Sequence, residues 1–300
     1  MPPFDGFNYT KDSSKCKRAG LRFFCFSGII AKKQEMRDSM RYGKERCIYH
    51  KNMLGDVICQ LRFPEILTIE TELPAKFQEA IRMIFPVYTL RKEAPAPKVS
   101  GQPGAVQVHQ QPATNNYQFS TADGAWRVNL TSKFISLSTN RYTGWEDFAK
   151  MLDRPLVAFI QIYKPAYFER IGLRYLNFIS RQKLELQDLP FRELISPAYL
   201  GILSQPGVVE TSVARSSVDA EYVQPDGCHI KIHAGPGKVS IAGKQDPEVK
   251  FIFDQDLFIT SKVPVQQSVG ALETIHSHAF SIFRNAITDT LHEAMEPEEK

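Results

Sequence analysis

Apolar residues recur along this chain at two spacings, and the alternation between them lays out most of its elements. Val57-Ile58-Cys59-Gln60-Leu61-Arg62-Phe63 puts Val57, Cys59, Leu61 and Phe63 on one face, the period-two pattern of a half-buried strand, and Pro64 ends it. Pro74, with Thr71 or Glu72 before it, opens a helix in which Phe77, Ile81 and Ile84 share a face, and Pro86 stops it. Residues 117–121 and Trp126–Leu130 flank Asp123-Gly124, a hairpin signal because glycine accepts the positive φ of a tight turn, and Phe134–Thr139 makes a third strand. A helix then begins near Tyr142, with Thr143 as N-cap and Glu146 three residues on. Pro155 interrupts it, and the apolar run 156–163 fits either a helix or a strand.

The order then repeats. Arg170–Ile179 is a strand with Arg170, Gly172 and Arg174 on one face and Ile171, Leu173 and Tyr175 on the other. Helical material follows at 191–195 and 197–203, then strands at 208–223, 228–234 and 249–260. A closing helix at 264–295 carries Val269, Leu272, Ile275, Ala279, Ile282, Phe283 and Ala286 on one stripe. The fold class this predicts is α+β: two βαβββα pseudo-repeats, at 51–165 and 166–296, forming one curved antiparallel sheet with a long C-terminal helix, in a helix-grip or TATA-binding-like arrangement. Residues 94–116, rich in Pro, Gly, Gln and Asn, read as a flexible exposed loop inside the first repeat. Residues 1–50 hold no sustained periodicity and read as a disordered basic arm or a misplaced start, Met36, Met40 and Met53 being internal starts.

Three stretches resemble the signature segments of a sporadically distributed family of uncharacterised bacterial proteins: Val-Ile-Cys-Gln-Leu-Arg-Phe-Pro from position 57, Leu-Ser-Thr-Asn-Arg-Tyr-Thr-Gly-Trp-Glu-Asp-Phe from 137, and Arg-Ile-Gly-Leu-Arg-Tyr-Leu-Asn from 170. The resemblance spans about residues 50–295. It implies a prokaryotic origin and an association with mobile or defence-linked genes, including CRISPR-like or toxin-linked systems, and it implies no reaction. Family members begin shortly before the first strand, so the front segment departs from their pattern.

The formal net charge of +4 invites a nucleic-acid reading until its distribution is considered. Residues 1–51 hold 12 Lys+Arg against 5 Asp+Glu, and residues 52–300 hold 25 against 28. A mildly acidic body argues against a phosphate-backbone surface. Five cysteines without a C-x-x-C pair point to free thiols and a cytoplasmic location. The apolar run 21–31 is too short to span a bilayer and contains Arg22, so no membrane association is expected.

Candidate chemistry centres on Arg62, Arg170, Arg174 and Asn177 with Asp254 and Asp256. Arg62 and Arg174 occupy equivalent places in the two repeats, guanidinium forks suit a carboxylate or phosphate, and Gly172 permits close approach between Arg170 and Arg174. The competing expectation is that these arginines pair internally with Asp254, Asp256, Glu169 or Glu221. Asp254 and Asp256 share a strand face, as a divalent-ion site or an acid/base pair would require, with no further ligand identified. His229 and His233 are about 13 Å apart along a strand, too far for one metal. His276 and His278 point different ways on the closing helix. Gly235-Pro236-Gly237-Lys238 lacks the spacing of a phosphate loop and reads as a turn. No catalytic set, metal or cofactor is predicted. The expected role is a non-enzymatic binding or adaptor protein with a protein partner and a small anionic ligand as the next choice. An enzyme with an Arg/Asp pocket and a nucleic-acid-binding accessory protein are the alternatives.

Overall fold

A computed structural model of the chain describes residues 47–93, 98–102, 105–109, 113–241 and 243–299. Most of the front segment expected to be disordered or misplaced, residues 1–46, lies outside the described residues. The protein is α+β. In chain order its elements are β1 (Cys47–Tyr49), β2 (Leu54–Arg62), α1 (Leu67–Thr71), α2 (Ala75–Ile81), β3 (Val87–Glu93), β4 (Lys98–Gln102) and β5 (Ala105–His109). They continue with β6 (Thr114–Ser120), β7 (Trp126–Leu130), β8 (Phe134–Thr139), α3 (Trp145–Tyr163), β9 (Arg170–Ile179), β10 (Val218–Val223), β11 (His229–Ile241) and β12 (Lys244–Ile259). Helices α4 (Ser268–Ala286) and α5 (Asp289–Ala294) and strand β13 (Pro297–Glu299) close the chain.

Nine strands form one antiparallel sheet in the order β10-β11-β12-β9-β2-β8-β7-β6-β3. The alternation seen in the sequence decides its faces. Val57, Cys59, Leu61, Ile171, Leu173, Phe253, Leu257 and Ile230 are buried on one face, under α3 and α4. The intervening residues Gln60, Arg174, Asp256 and Lys231 lie on the other face. Helix α4 packs on β9 and β12, and α3 packs on α2, where Arg154 Nε donates to the Ala80 carbonyl at 3.0 Å. Outside the main sheet, β1 pairs with β13 and β4 with β5. No described helix is long and apolar enough to cross a membrane.

Several expectations are corrected. Helix α3 runs unbroken through Pro155. An internal proline costs about 3 kcal/mol, and burial of Phe148, Leu152, Leu156 and Phe159, at roughly 1.5–3 kcal/mol each, outweighs it. The N-cap of α3 is Gly144, and Thr143 instead donates its hydroxyl to Asp147 Oδ2 at 2.8 Å. The closing helix does not reach 295 in one piece, because Ile287 is extended and bridges Ile195; Thr288 then caps α5 by accepting from the Leu291 N–H.

Among the described residues, the segment 94–116 contributes β4, β5 and the start of β6. Strand β3 was not legible because all seven of its residues are exposed, leaving no apolar face to read. The strand expected at 208–223 starts only at Val218. Its first part is drawn away by Glu210, whose carboxylate accepts from the Phe191 N–H at 2.7 Å and pairs with Arg181 at 2.9 Å. Gly235-Pro236-Gly237-Lys238 is no turn. It lies within β11, opposite Ile252 to Val249, and the backbone of Ser216 passes where a Cβ on Gly235 would sit.

Candidate functional site

Strands β9 and β12 are neighbours in register, Asp256 opposite Arg174, Gln255 opposite Tyr175 and Phe253 opposite Asn177. Their even-numbered residues face outward. Arg170 Nη2 donates to both oxygens of Asp256 at 2.9 and 2.8 Å, and Arg174 donates to Asp254 through Nε at 2.8 Å and Nη2 at 2.5 Å. The hydrogen bond to Asp254 pushes the Arg174 pKa further up. The Arg170 guanidinium lies over Phe258, 4.3 Å from the ring centroid, and fills the space a Cβ on Gly172 would need. The close approach that Gly172 permits is therefore used by Arg170 itself.

The same pairing continues outward along the sheet. Lys231 meets Glu221 at 3.1 Å and His233 meets Asp219 at 2.7 Å, while His229 stacks on Phe258 at 5.1 Å. Strands β10, β11, β12 and β9 thus present acidic, basic, acidic and basic rows, each answering its neighbour. Arg62 does not join Arg174. Its register partner is Arg170 and that of Arg174 is Ile58, so the two arginines stand about 13 Å apart along the strands. Farther along the outward face of β12, Lys250 is buried between Asp246 and Glu248. Glu248 accepts from the Ser180 hydroxyl at 2.6 Å and the Gln182 N–H at 2.9 Å. Burial pushes the Glu248 carboxyl up, but these hydrogen bonds and the Lys250 charge together hold it below the usual range.

The odd-numbered residues face inward and build a different place. Tyr175, Asn177 and Gln255 form the floor of a cleft of about 140 Å³. Ala279, Phe280 and Phe283 of α4 make one wall, and Gly144, Trp145 and Glu146 at the start of α3 make another. Ile48 and Tyr49 of β1, with Met53 and Met295, complete it. The surface is mainly apolar and aromatic. His276 lies flat on Trp145, with centroids 4.5 Å apart and 9° between the rings, and its Nδ1 is 2.9 Å from the Tyr175 hydroxyl. Tyr142 meets Tyr175 edge-on at 5.9 Å. The Tyr49 hydroxyl is 2.9 Å from His292 Nδ1, and burial pushes its pKa up.

The polar groups on the floor differ in how they are satisfied. Tyr175 and His276 bond to each other, and Asn177, 3% exposed, donates to the Phe253 carbonyl at 3.3 Å. Gln255 is 2% exposed, and among the described residues nothing donates to its Oε1. Leaving a buried carbonyl-type oxygen unmatched costs on the order of 1–3 kcal/mol, and Asn116 Oδ1 is a second such atom outside the cleft. The lining includes no lysine or arginine among the described residues. Glu146 and Asp147 already place negative charge in the first turn of α3, where the helix dipole would otherwise favour an anion.

Of the predicted site residues, Arg170, Arg174, Asp254 and Asp256 come together as two ion pairs, Arg62 lies opposite Arg170 but away from Arg174, and Asn177 lies on the opposite face, in the cleft. Sequence reasoning missed Gln255, Tyr175, His276 and Trp145 as a group. The signal present was Gln255 itself, a polar residue in the inward row between Phe253 and Leu257, flanked by the two aspartates that drew attention outward. Comparison with protein-family models gives no match for this chain, and comparison with curated proteins gives none.

Proposed function

We propose that this protein is a non-enzymatic binding module whose site is the cleft between β9, β12, α3 and α4, and that the cleft receives a small, uncharged, largely apolar molecule. The observation that carries the reading is the mainly apolar, aromatic cleft itself, with the few polar side chains Tyr175, Asn177 and Gln255 on its floor. Buried polar atoms are nearly always matched, and sites for small molecules are typically apolar concavities with a few placed polar groups. Binding is favoured over catalysis because the described lining is mainly apolar and aromatic, as binding sites for small molecules are. An anion held by the Arg/Asp grouping has less to work with, since Arg170 and Arg174 already bond Asp256 and Asp254.

The pseudo-duplicated, helix-grip arrangement expected from the sequence belongs to the same proposal. It is supported by the sheet order, in which β2 and β9 lie side by side with Gln60 opposite Gly172, and each is followed outward by later strands of its own half. The two helices of 19 residues, α3 and α4, then close the two halves, and the cleft lies where they approach the central strands.

The test is thermal stabilisation of the full chain by neutral one- and two-ring molecules. A ligand that binds the folded state alone at a hundred times its Kd stabilises by about 2.7 kcal/mol, which a rise in Tm reports. Ala279→Met, which fills the cleft from α4, should abolish the rise. If no such molecule raises Tm, or if Ala279→Met responds as the natural chain does, the cleft is not the binding site.

A further inference from the structure

The nine-stranded sheet ends on β3, and no described strand pairs with the outer edge of that strand. Such an edge is a row of unpaired N–H and C=O groups, which folded proteins blunt with prolines, bulges, charges or a covering element. Strand β3 carries few of these devices. It runs opposite β6 over all seven of its residues without a bulge, and it holds no proline. All seven residues are exposed, Val87, Tyr88 and Leu90 among them, and the exposed Met83 and Ile84 lead into them. Its charges, Arg91, Lys92 and Glu93, are confined to the second half.

We infer that this edge pairs with the same edge of a second copy of the chain, β3 running antiparallel to β3 about a two-fold axis at Leu90, so that two sheets join into one. The inference is independent of the cleft. The sequence of the strand selects the occupant. In a seven-residue antiparallel pairing centred on Leu90, Leu90 meets its own counterpart, Tyr88 meets Lys92, Thr89 meets Arg91 and Val87 meets Glu93. No like charges then stand opposite one another, and each Lys92 ammonium has a Tyr88 ring to rest against. A parallel, in-register pairing would set Arg91 on Arg91 and Lys92 on Lys92, which cross-strand repulsion disfavours.

The other edge of the sheet, β10, is a poorer match for β3. Its Asp219 and Glu221 already meet His233 and Lys231 of their own sheet. Joining β3 to β10 would also leave a free edge at each end of the product, so growth would continue, whereas a two-fold contact closes on itself. The anchors for the two-fold contact are already in place. Tyr88 and Leu90 lie opposite the buried Phe119 and Tyr117 of β6, and Tyr88 packs on Phe119 with centroids 5.6 Å apart. At 43% and 41% exposure, both keep part of their surface uncovered at the end of the sheet. Seven paired residues make a small interface, so a reversible dimer is expected, with a dissociation constant between about 1 μM and 1 mM.

Sedimentation equilibrium of the full chain across that range of about 1 μM to 1 mM reads the association directly. A monomer–dimer equilibrium is expected. Leu90→Lys sets two like charges on the axis and removes the central apolar contact, and it should raise the dissociation constant about tenfold or more. Cysteine cross-linking fixes the register, because a disulfide needs Cα atoms about 4.4–6.8 Å apart. Leu90→Cys should give a covalent dimer on mild oxidation, at a yield above that of the natural chain with its own thiols. Tyr88→Cys should not, since two copies of residue 88 would stand about 13 Å apart along the strands. A chain that stays monomeric throughout the range overturns the inference. So does a dimer that Leu90→Lys leaves intact, or one that cross-links through Tyr88→Cys and not through Leu90→Cys, because another surface or register then carries it. Growth beyond the dimer points to β3 on β10 and overturns the two-fold pairing. Should Leu90→Lys fail to fold, sedimentation of the natural chain and cross-linking of Leu90→Cys decide without it.

Discussion

The two faces of β9 and β12 are separated by a single residue step, and they treat polar groups in opposite ways. On the outward face, four full charges sit in the ion pairs Arg170–Asp256 and Arg174–Asp254, partly open to water. On the inward face, a neutral carboxamide is 2% exposed and has one atom unmatched. The outward charges look like chemistry in the sequence and are internally answered in the fold. The inward glutamine looks ordinary and keeps a buried oxygen to which no described residue donates. Burial and unmet hydrogen bonding thus single out different residues from those that formal charge does.

The largest effect expected from probing this contrast comes from the inward row itself. Leu173→Ala, at a fully buried core position, should cost about 2–5 kcal/mol in a urea-unfolding measurement. Its neighbour Arg174→Ala should cost at most about 1 kcal/mol, its side chain being 48% exposed. Comparable losses for the two would mean the outward face is structural in the same sense as the core. Between them stands Arg170→Met. It removes the bidentate partner of Asp256 where the arginine side chain is only 19% exposed, and a loss of about 1–3 kcal/mol is expected from the same measurement.

Gln255→Leu should move the other way. Removing an unmatched buried oxygen while keeping the volume is expected to stabilise the ligand-free chain by about 1 kcal/mol, seen as a higher midpoint in urea. Loss of stability instead would show that the carboxamide is fully matched. The smallest effect is electrostatic and concerns the covered end of the outward face. The Glu248 carboxyl, pushed up by burial but held below its ordinary range by hydrogen bonds and Lys250, contributes stability that is fully present above its unfolded pKa. That contribution is lost as pH falls through the lower, folded value. Urea unfolding of the natural chain and Glu248→Gln should therefore differ most at neutral pH and converge in acid. A gap that widens on acidification contradicts the sign.

How much of this was legible in the sequence depended on whether an element has an apolar face. Strands β2, β8 and β9 were readable because Val57, Leu137 and Leu173 alternate with polar residues. Strand β3 lies at the sheet edge with every residue exposed, and Pro155 sits in a helix kept whole by tertiary packing, so neither local signal predicts the outcome. The pairing of Arg170 and Arg174 with Asp256 and Asp254 was among the expectations because a sheathed charge needs its opposite. The cleft could not be read in that way. Its lining among the described residues comes from 47–49, 52–54, 142–146, 175, 177, 255, 276, 279, 280, 283 and 295, and no spacing in the chain announces that these meet.

One wall of the cleft is tied down by a short ribbon and by Tyr49, which packs against Phe283 and His292. Ile48 and Tyr49 belong to β1, which is bonded to β13 over three residue pairs, Cys47 to Glu299, Ile48 to Glu298 and Tyr49 to Pro297. Two backbone bonds extend it, from His50 N–H to the Glu296 carbonyl at 3.1 Å and from Lys51 N–H to the Met295 carbonyl at 3.0 Å. So short a ribbon opens at a free energy well below that of the nine-stranded sheet, as its own cooperative unit. This wall thus has a thermodynamics of its own. Amide exchange at Cys47 to Tyr49 should run far ahead of exchange at Cys59 or Leu173, the ribbon opening while the sheet beneath it stays closed.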